Sequence, residues 1–339
     1  MPLRMAFIGF RHNHILDLYG RAQAAPEIEI VAACEEDAVA RQQMEKQGIP
    51  ITHDSVAAFW REVECDAVAV ADYFGRRGAL IIEALARGKH VISDKPICTV
   101  PGELTAIERL LRAGQMRLGC MLDLRDAAPF IGLRQVIQQG LIGEVQSITF
   151  GGQHPLLPGT RPSWYFEEGK HGGTINDIAI HAIDIIPWIT GHRFVMINSA
   201  RCWQGFYRAD PHFRDAGQMM LTMDNGCGVL GDVSYFAPDS FGYTLPHYWR
   251  MTCWGERGVT EVSQTSTTIW VALAGEKEAR QLPLPPARPG GYLEAFLHDI
   301  EGTTSDGELA TAQVLQASRA ALQIQMAADL GICNAELAG

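Results

Sequence analysis

The first third of the chain alternates between two hydrophobic periods, and this alternation constrains the fold more than any other feature. MAFIGF, EIEIVAAC, CDAVAVAD, HVISD and MRLGCML are short apolar runs. Between them lie stretches with helical spacing, such as AVARQQMEKQG, RGALIIEALARG and PGELTAIERLLRAG, closed by Gly48, Gly88 and Gly114. A near-continuous apolar strand is one buried on both faces, and strands separated by helices pair in parallel. A glycine just past a helix supplies the left-handed residue on which helices end. Residues 1–122 therefore predict an α/β domain with a doubly wound parallel sheet.

The pattern changes near residue 123. One more helix, in DLRDAAPFIGLRQVIQQG, is followed by VQSITFGGQ, VMINSARCWQ, GQMMLTMDNG, CGVLGDVSYF, YWRMTCWG, GVTEVSQ and TIWVALAG, strand after strand with turns such as Asp224-Asn225-Gly226. Consecutive strands with hairpin signals pair antiparallel. Two helical stretches, YLEAFLHDIEG and LATAQVLQASRAALQIQMAADLG, close the chain. Residues 123–339 thus predict an α+β domain built on a large, mainly antiparallel open sheet.

Composition narrows the partners. A net charge of −11 on 339 residues argues against nucleic acid or an anionic membrane surface. No apolar run approaches the length of a membrane span, and MPLRMAFIGF reads as a strand, not a signal peptide. The eight cysteines contain no C-x-x-C pair, which fits reduced thiols in the cytoplasm.

The loop after the first strand, FIGFRHNHILDLYG, admits three readings. His12 and His14 form a His-x-His, as at the start of barrel-type metal hydrolases, with His154, His171 and His181 as further candidate ligands. They are equally readable as loop residues with no special role. The third reading is a phosphate cradle, since a strand–turn–helix at the head of a parallel sheet is where a dinucleotide fingerprint sits. Gly9 matches its first glycine, but Arg11 and His14 replace the second and third. The metal hydrolase needs eight βα units, and the second half here runs strand to strand. Glu35, at the end of the second strand, is placed to accept from an adenosine ribose, or simply to open a helix with Glu36 and Asp37.

Two stretches carry chemistry. GKHVISDKP puts Asp94-Lys95-Pro96 at the end of a parallel strand, where open α/β sheets bind ligands. HGGTINDIAIHAIDIIPWITG puts Asp177, His181 and Asp184 on one helical pattern, with Asp177 and His181 four apart on one face. Such an Asp can fix the tautomer of the His and steady its charge, as a general base requires. A plain hydrogen bond on the helix surface is the alternative.

GKHVISDKP resembles the G-K-H-V-x-x-E-K-P stretch of the Gfo/Idh/MocA oxidoreductases, a family that includes glucose–fructose oxidoreductase and inositol dehydrogenases. HGGTINDIAIHAID resembles its G-G-x-x-x-D-x-G-x-H-x-x-D stretch, and DLRDAAP, GLIGEV and RPSWYF extend the likeness along nearly the whole chain. The resemblance implies a Rossmann domain, an open-sheet domain, NAD or NADP as cofactor, and a sugar, polyol or related substrate. Lys95 matches the lysine that contacts the reacting hydroxyl; Asp177 and His181 match the Asp/His pair, with the His as proton acceptor. Asp94 stands where Glu is usual and Ala179 where glycine is frequent, and the Arg11/His12/His14 loop departs most.

The resulting expectation is an NAD(P)-dependent dehydrogenase acting on CH–OH groups, with NAD preferred. Gly9, Phe10, Arg11, His12, Asn13, His14, Glu35, Asp72, Asp94 and Lys95 are the cofactor-binding candidates, with no metal. Lys95, Asp177 and His181 are the catalytic candidates. Arg125, Trp164 and Tyr165 join them as candidate sugar contacts, though each of the three could equally be structural. The rival readings are the metal-dependent hydrolase using His12 and His14 and a dinucleotide-binding sensor without turnover. Strands such as VMINSARCW and YWRMTCWG carry apolar residues on both faces, which predicts a homo-oligomer.

Overall fold

A computed structural model describes residues 1–337 and divides the chain into two compact units. The first comprises Met1–Leu122, Gly169–Gly172 and Gly290–Leu315; the second comprises Asp123–Glu168, Gly173–Pro289 and Gln316–Gly339. Five parallel strands form the first sheet: β1 (Leu3–Ile8), β2 (Ile28–Cys34), β3 (Ala67–Val70), β4 (His90–Ser93) and β5 (Leu118–Cys120), in the order β2-β1-β3-β4-β5. The helices between them are α1 (His14–Ala24), α2 (Ala38–Lys46), α3 (Val56–Glu62), α4 (Phe74–Ala86) and α5 (Pro101–Ala113). The order reverses at β1, which puts the ends of β1, β2 and β3 at the switch point where such sheets bind ligands. Met5, Phe7, Ala67, Ala69 and Ile92 are buried, as strands covered on both faces require.

The second unit begins with α6 (Ala128–Gln138) and β6 (Val145–Pro155), followed by α7 (Ile180–Thr190), β7 (Phe194–Trp203), β8 (Ala216–Met223), β9 (Gly228–Ala237), β10 (Arg250–Gly255), β11 (Gly258–Val262), β12 (Thr268–Leu273) and β13 (Arg280–Pro283). Next in the chain, α8 (Gly291–Glu301) belongs to the first unit and packs against β5, with Phe296 lying over Gly119. The chain ends with α9 (Thr311–Leu330) and β14 (Ala335–Glu336). The nine-stranded sheet runs β13-β12-β11-β10-β6-β9-β8-β7-β14, and every pairing except β6 with β9 is antiparallel.

Cross-strand register puts Met220, Leu230, Thr149, Thr252, Glu261 and Trp270 in one row on one face of this sheet. Leu230 is 52% exposed and Trp254, two residues beyond Thr252, is 54% exposed. A sheet alternates its side chains, so these apolar groups share the face turned away from the core. No helix among the described residues is long and apolar enough to cross a membrane.

Candidate functional site

In the first unit the chain leaves β1 through Gly9, at φ +84°. A Cβ there would lie 2.6 Å from the backbone nitrogen of Asp72, so only glycine allows this turn. Helix α1 starts without a side-chain cap from Asn13, and the amides of Ile15 and Leu16 make only short-range backbone bonds to the carbonyls of His12 and Asn13 (3.3 and 3.1 Å), so no side chain competes with an anion there. The loop and the helix start thus have the two properties a pyrophosphate cradle needs, and the cofactor fits here. Glu35 is buried with its carboxylate turned onto the loop: it accepts from the backbone N–H of Phe10 (2.6 Å) and of Asp37 (2.7 Å). Burial pushes its carboxyl up, against the pull of those two amides. Arg11 Nε lies 3.3 Å from both Glu35 and Asp72, with the guanidinium over the Tyr73 ring. Arg76 bridges Asp72 and Glu36.

Asp94, at the end of β4, is fully buried and is the hub of this unit. Arg77 of α4, 0% exposed, donates to its Oδ2 at 2.8 Å. His12 Nδ1 lies 2.5 Å from the same oxygen, and His14 Nδ1 lies 3.1 Å from Oδ1. Burial alone would raise the Asp94 carboxyl; the charge of Arg77, then His12 and His14, hold it well below the usual carboxylate range. Burial also pushes His12 down to about 3, which keeps it neutral. Arg77 further donates to the carbonyls of Asp72, Lys95 and Pro96, and so fixes the backbone that carries Lys95. Phe74 packs edge-on against His12, tilted against His171, and lies under Arg77. The ligand atoms of His12, His14 and Asp94 lie within 4.8 Å of one another, a spacing metal sites also show. Arg77 shares the Asp94 oxygen with His12, and a guanidinium there makes the group a hydrogen-bonded hub.

In the second unit the helical pattern of HGGTINDIAIHAID is realised in two parts. Ile175–Ala179 forms one π turn, and α7 continues from Ile180, so Asp177 and His181 do not share an ordinary α-helical register. Gln325 of α9 accepts from the backbone N–H of Ile175 (3.0 Å) and Asn176 (3.3 Å) at the start of this turn. The hydroxyl of Tyr235, buried on β9, donates to Asp177. Burial, and then the Asp177 charge, push the Tyr235 phenol well above its usual value, so it remains a donor. His181 lies with its Nδ1 3.5 Å from Asp123 and its ring 5.2 Å from Trp249.

The proposed sugar contacts lie in different surroundings. Arg125 is held by Asp184 in a bidentate pair at 2.7 and 2.6 Å. Trp164 and Tyr165, both buried, stack at 4.2 Å, and the Tyr165 hydroxyl accepts from Arg161 at 3.1 Å. Arg161 also lies over the rings of Tyr165 and Tyr235. His154 is enclosed by Tyr235, Tyr243, Tyr248 and Trp249.

The sequence reading missed Arg77, Gln325, Tyr235 and Arg161. Arg77 had a signal: it falls in phase with Leu80, Ile81 and Ala84 on the apolar face of α4, where a lone arginine needs a buried partner. Tyr235 follows the inward alternation of Val229, Gly231 and Val233 along β9. Gln325 and Arg161 reach their partners through tertiary folding and left no local trace.

These features define a nucleotide-binding oxidoreductase of two-unit type, and the comparisons agree. The family description "Oxidoreductase family, NAD-binding Rossmann fold" matches residues 3–121 and "GFO/IDH/MocA C-terminal domain" matches 130–261, together well over half of the chain. The chain belongs to the Gfo/Idh/MocA oxidoreductase family and carries its NAD-binding Rossmann domain. Inositol 2-dehydrogenase 2 of Saccharopolyspora erythraea is 25% identical over 302 residues, 87% of this chain and 81% of that one. A UDP-kanosamine synthase oxidoreductase subunit of Amycolatopsis mediterranei is 29% identical over 227 residues, 60% of each chain, so that match spans under two thirds of the relative. The WlbA dehydrogenase of Bordetella pertussis, solved with NADH and UDP-GlcNAcA, superposes with a TM-score of 0.78 at 19% identity, covering all of both chains; at that identity the likeness is one of fold.

Proposed function

We propose that the protein is an NAD-dependent dehydrogenase that oxidises a CH–OH group of a sugar, an inositol-like polyol or a related hydroxy compound, or reduces the corresponding ketone. The reading rests on one observation above the others: the family's lysine, aspartate and histidine are all present as Lys95, Asp177 and His181, and Asp177 is buried on a committed donor, Tyr235. The inositol 2-dehydrogenase relative supports the substrate class.

Gly9, Phe10, Arg11, Asn13 and His14 would hold the cofactor's phosphates, with Glu35, Asp72 and Lys95 completing its site and Asp94, through His12 and Arg77, bracing the loop and strand end that form it. Bound NAD supplies the acceptor for the hydride that leaves the carbinol carbon. His181 removes the hydroxyl proton through a ring nitrogen, a role worth ~10²–10⁴-fold in rate. Lys95 donates to the same oxygen and steadies its developing negative charge. Asp177, fixed by Tyr235, steadies the imidazolium. Arg125, Trp164 and Tyr165 complete the substrate site. Its partner is this small molecule. NADH should bind more tightly than NADPH, because Glu35 and Glu36 would meet a ribose 2′-phosphate as like charges. Tighter binding of NADPH in a fluorescence titration would sink that preference. Screening cyclic polyols and sugars for NADH formation tests the main reading. Turnover of at least one supports it; saturable NAD binding with no turnover across the panel would favour the sensor.

The exposed row on the nine-stranded sheet supports a homo-oligomer, since an apolar face of this kind usually meets its copy about a two-fold axis. Light scattering should give a multiple of the 37.2 kDa chain mass, and Trp254→Glu should lower it. A wild-type monomer at micromolar concentration contradicts the assignment.

A further inference from the structure

The stretch that carries Asp177 begins on buried backbone without a cap of its own. The first amides of a helix have no partner within it, and Thr174 places no side-chain cap over the π turn Ile175–Ala179. Ile175 and Asn176 are 0% and 1% exposed, so burial withholds water from their N–H groups. One group serves both. Gln325 Oε1, arriving from α9, accepts from Ile175 at 3.0 Å and from Asn176 at 3.3 Å. The next amide, that of Asp177, donates to the carbonyl of Gly173 at 3.0 Å. Gly173 has φ +96°, and a Cβ there would lie 2.2 Å from Gln325 Cδ, so only glycine lets the chain pass this close to the amide.

Gln325 is itself held. Its Nε2 donates to both oxygens of Asp329, one turn further along α9, at 3.1 and 3.2 Å, with Cys202 Sγ 3.6 Å away. Asp329 takes a second partner in Arg214, at 2.9 Å, and the Arg214 carbonyl in turn accepts from the Thr174 hydroxyl. Thr174, Ile175, Gln325, Asp329 and Arg214 thus close a ring around the entry to the turn. The amide is chemically matched to its place. It must accept on one side, from two N–H groups, and donate on the other, to a carboxylate, which a side-chain amide does without ionising. Gln325 is 6% exposed, so a mismatched group there strands buried polar atoms. Packing alone would be met by hydrocarbon at such a position.

We propose that Gln325 is a positioning residue of the reaction: through the π turn it sets where the Asp177 carboxylate stands. The inference rests on the part assigned to Asp177 above. Asp177 follows directly on the two amides that Gln325 holds, and its carboxylate accepts from Tyr235 on β9. The aspartate is therefore located twice, its backbone from α9 and its carboxylate from β9. Without Gln325 the two buried amides must find other partners, and the turn moves. A displacement of about 1 Å in such a group can cost on the order of a hundredfold in rate.

The test compares Gln325→Leu, Gln325→Glu, Asp329→Ala and the double variant Gln325→Glu/Asp329→Asn in the full chain. The single Glu keeps an acceptor for the amides but sets a second carboxylate against Asp329. The double variant restores donor and acceptor in exchanged places. Hydrogen exchange by mass spectrometry reads the turn, and steady-state kinetics with the substrate found in the panel reads kcat and KM. Gln325→Leu should speed exchange in residues 173–181 and lower kcat about ten- to hundredfold, with KM and NADH affinity changed far less. Gln325→Glu should fall between it and wild type, and the double variant should recover most of kcat. Asp329→Ala, at the half-exposed end of the ring, should lose several-fold. Circular dichroism checks the fold, and should Gln325→Leu fail to fold, the other three carry the comparison. A merely stabilising contact would lower the unfolding midpoint and leave kcat of the folded enzyme unchanged; that result overturns the proposal while the dehydrogenase reading stands. Unchanged exchange in the Gln325 variants also overturns it. A wild type that turns over nothing in the panel overturns both.

Discussion

Two buried aspartates, one in each unit, are held in opposite ways. Asp94 sits among a guanidinium and two imidazoles, and its charge is balanced by Arg77, which is itself 0% exposed. Asp177 is held by a phenol, in a unit where Arg161 and His154 are wrapped by tyrosines and Trp249. A carboxylate neutralised by a fixed cation is structural: it braces the loop and the strand end. Asp177 accepts from a neutral phenol, and in the proposed mechanism its charge is there to steady a proton acceptor. The contrast separates anchoring from chemistry, and each prediction tests one side of it.

The largest effects belong to the chemical side. His181→Ala should lower turnover ~10²–10⁴-fold, and Lys95→Met on the order of 10²–10³-fold. Neither should abolish NADH binding, because neither removes a phosphate contact. Steady-state kinetics beside a fluorescence titration reads both quantities; wild-type turnover in a folded variant removes that residue from the mechanism. On the anchoring side, Arg77→Met strands a buried carboxylate and should cost about 3–5 kcal/mol in urea unfolding. Arg280→Ala, which breaks an exposed pair with Glu276, should cost under ~1 kcal/mol. Equal losses for the two arginines would dissolve the contrast.

Tyr235→Phe should be intermediate. It removes one hydrogen bond to a buried charged group, worth ~1.5–3 kcal/mol of stability, and should in addition lower kcat about ten- to hundredfold. An effect confined to stability would make Asp177 another anchor. The remaining prediction concerns His12 and shows itself only as pH falls. It is held down to about 3, while an unfolded histidine titrates near 6.5, so the unfolded chain takes up the proton first as pH falls. The contribution of His12 is therefore complete above about pH 6.5 and is lost between there and about 3, at no more than about 1.4 kcal/mol per unit. Asp94, held below the ordinary carboxylate range, adds its own loss at lower pH. His12→Asn should flatten the decline of the unfolding midpoint from pH 6.5 to 4; an unchanged slope would show that His12 carries none of it.

Much of the architecture was legible because hydrophobic period is a local property. The runs MAFIGF and CDAVAVAD are buried parallel strands, and the strand-after-strand stretch beyond residue 123 forms a large, mostly antiparallel sheet. The motifs GKHVISDKP and HGGTINDIAIHAID were legible as a family resemblance, and both domains of that family match. What the sequence hid was which groups the fold brings to each carboxylate. Glu35 turns to the amides of Phe10 and Asp37, a choice set by burial at the switch point. Asp177 meets Tyr235, which is 58 residues away, and the π turn that presents it leaves no mark in an apolar spacing written for 3.6 residues per turn. The helix α8, between two stretches of the second unit, packs on β5 through Phe296 and Gly119, a match of shapes that no local period records.

The central claim is that hydrogen leaves a carbinol carbon for the cofactor while the hydroxyl proton leaves for a protein base. The most direct measurement follows deuterium from a substrate labelled at that carbon, using whichever polyol or sugar the panel identifies. The account predicts one deuterium on the nicotinamide ring for each NADH formed and a slowed, unchanged outcome in His181→Ala. Deuterium washed into solvent instead would mean that the carbon loses a proton, and the assignment of hydride transfer would be wrong.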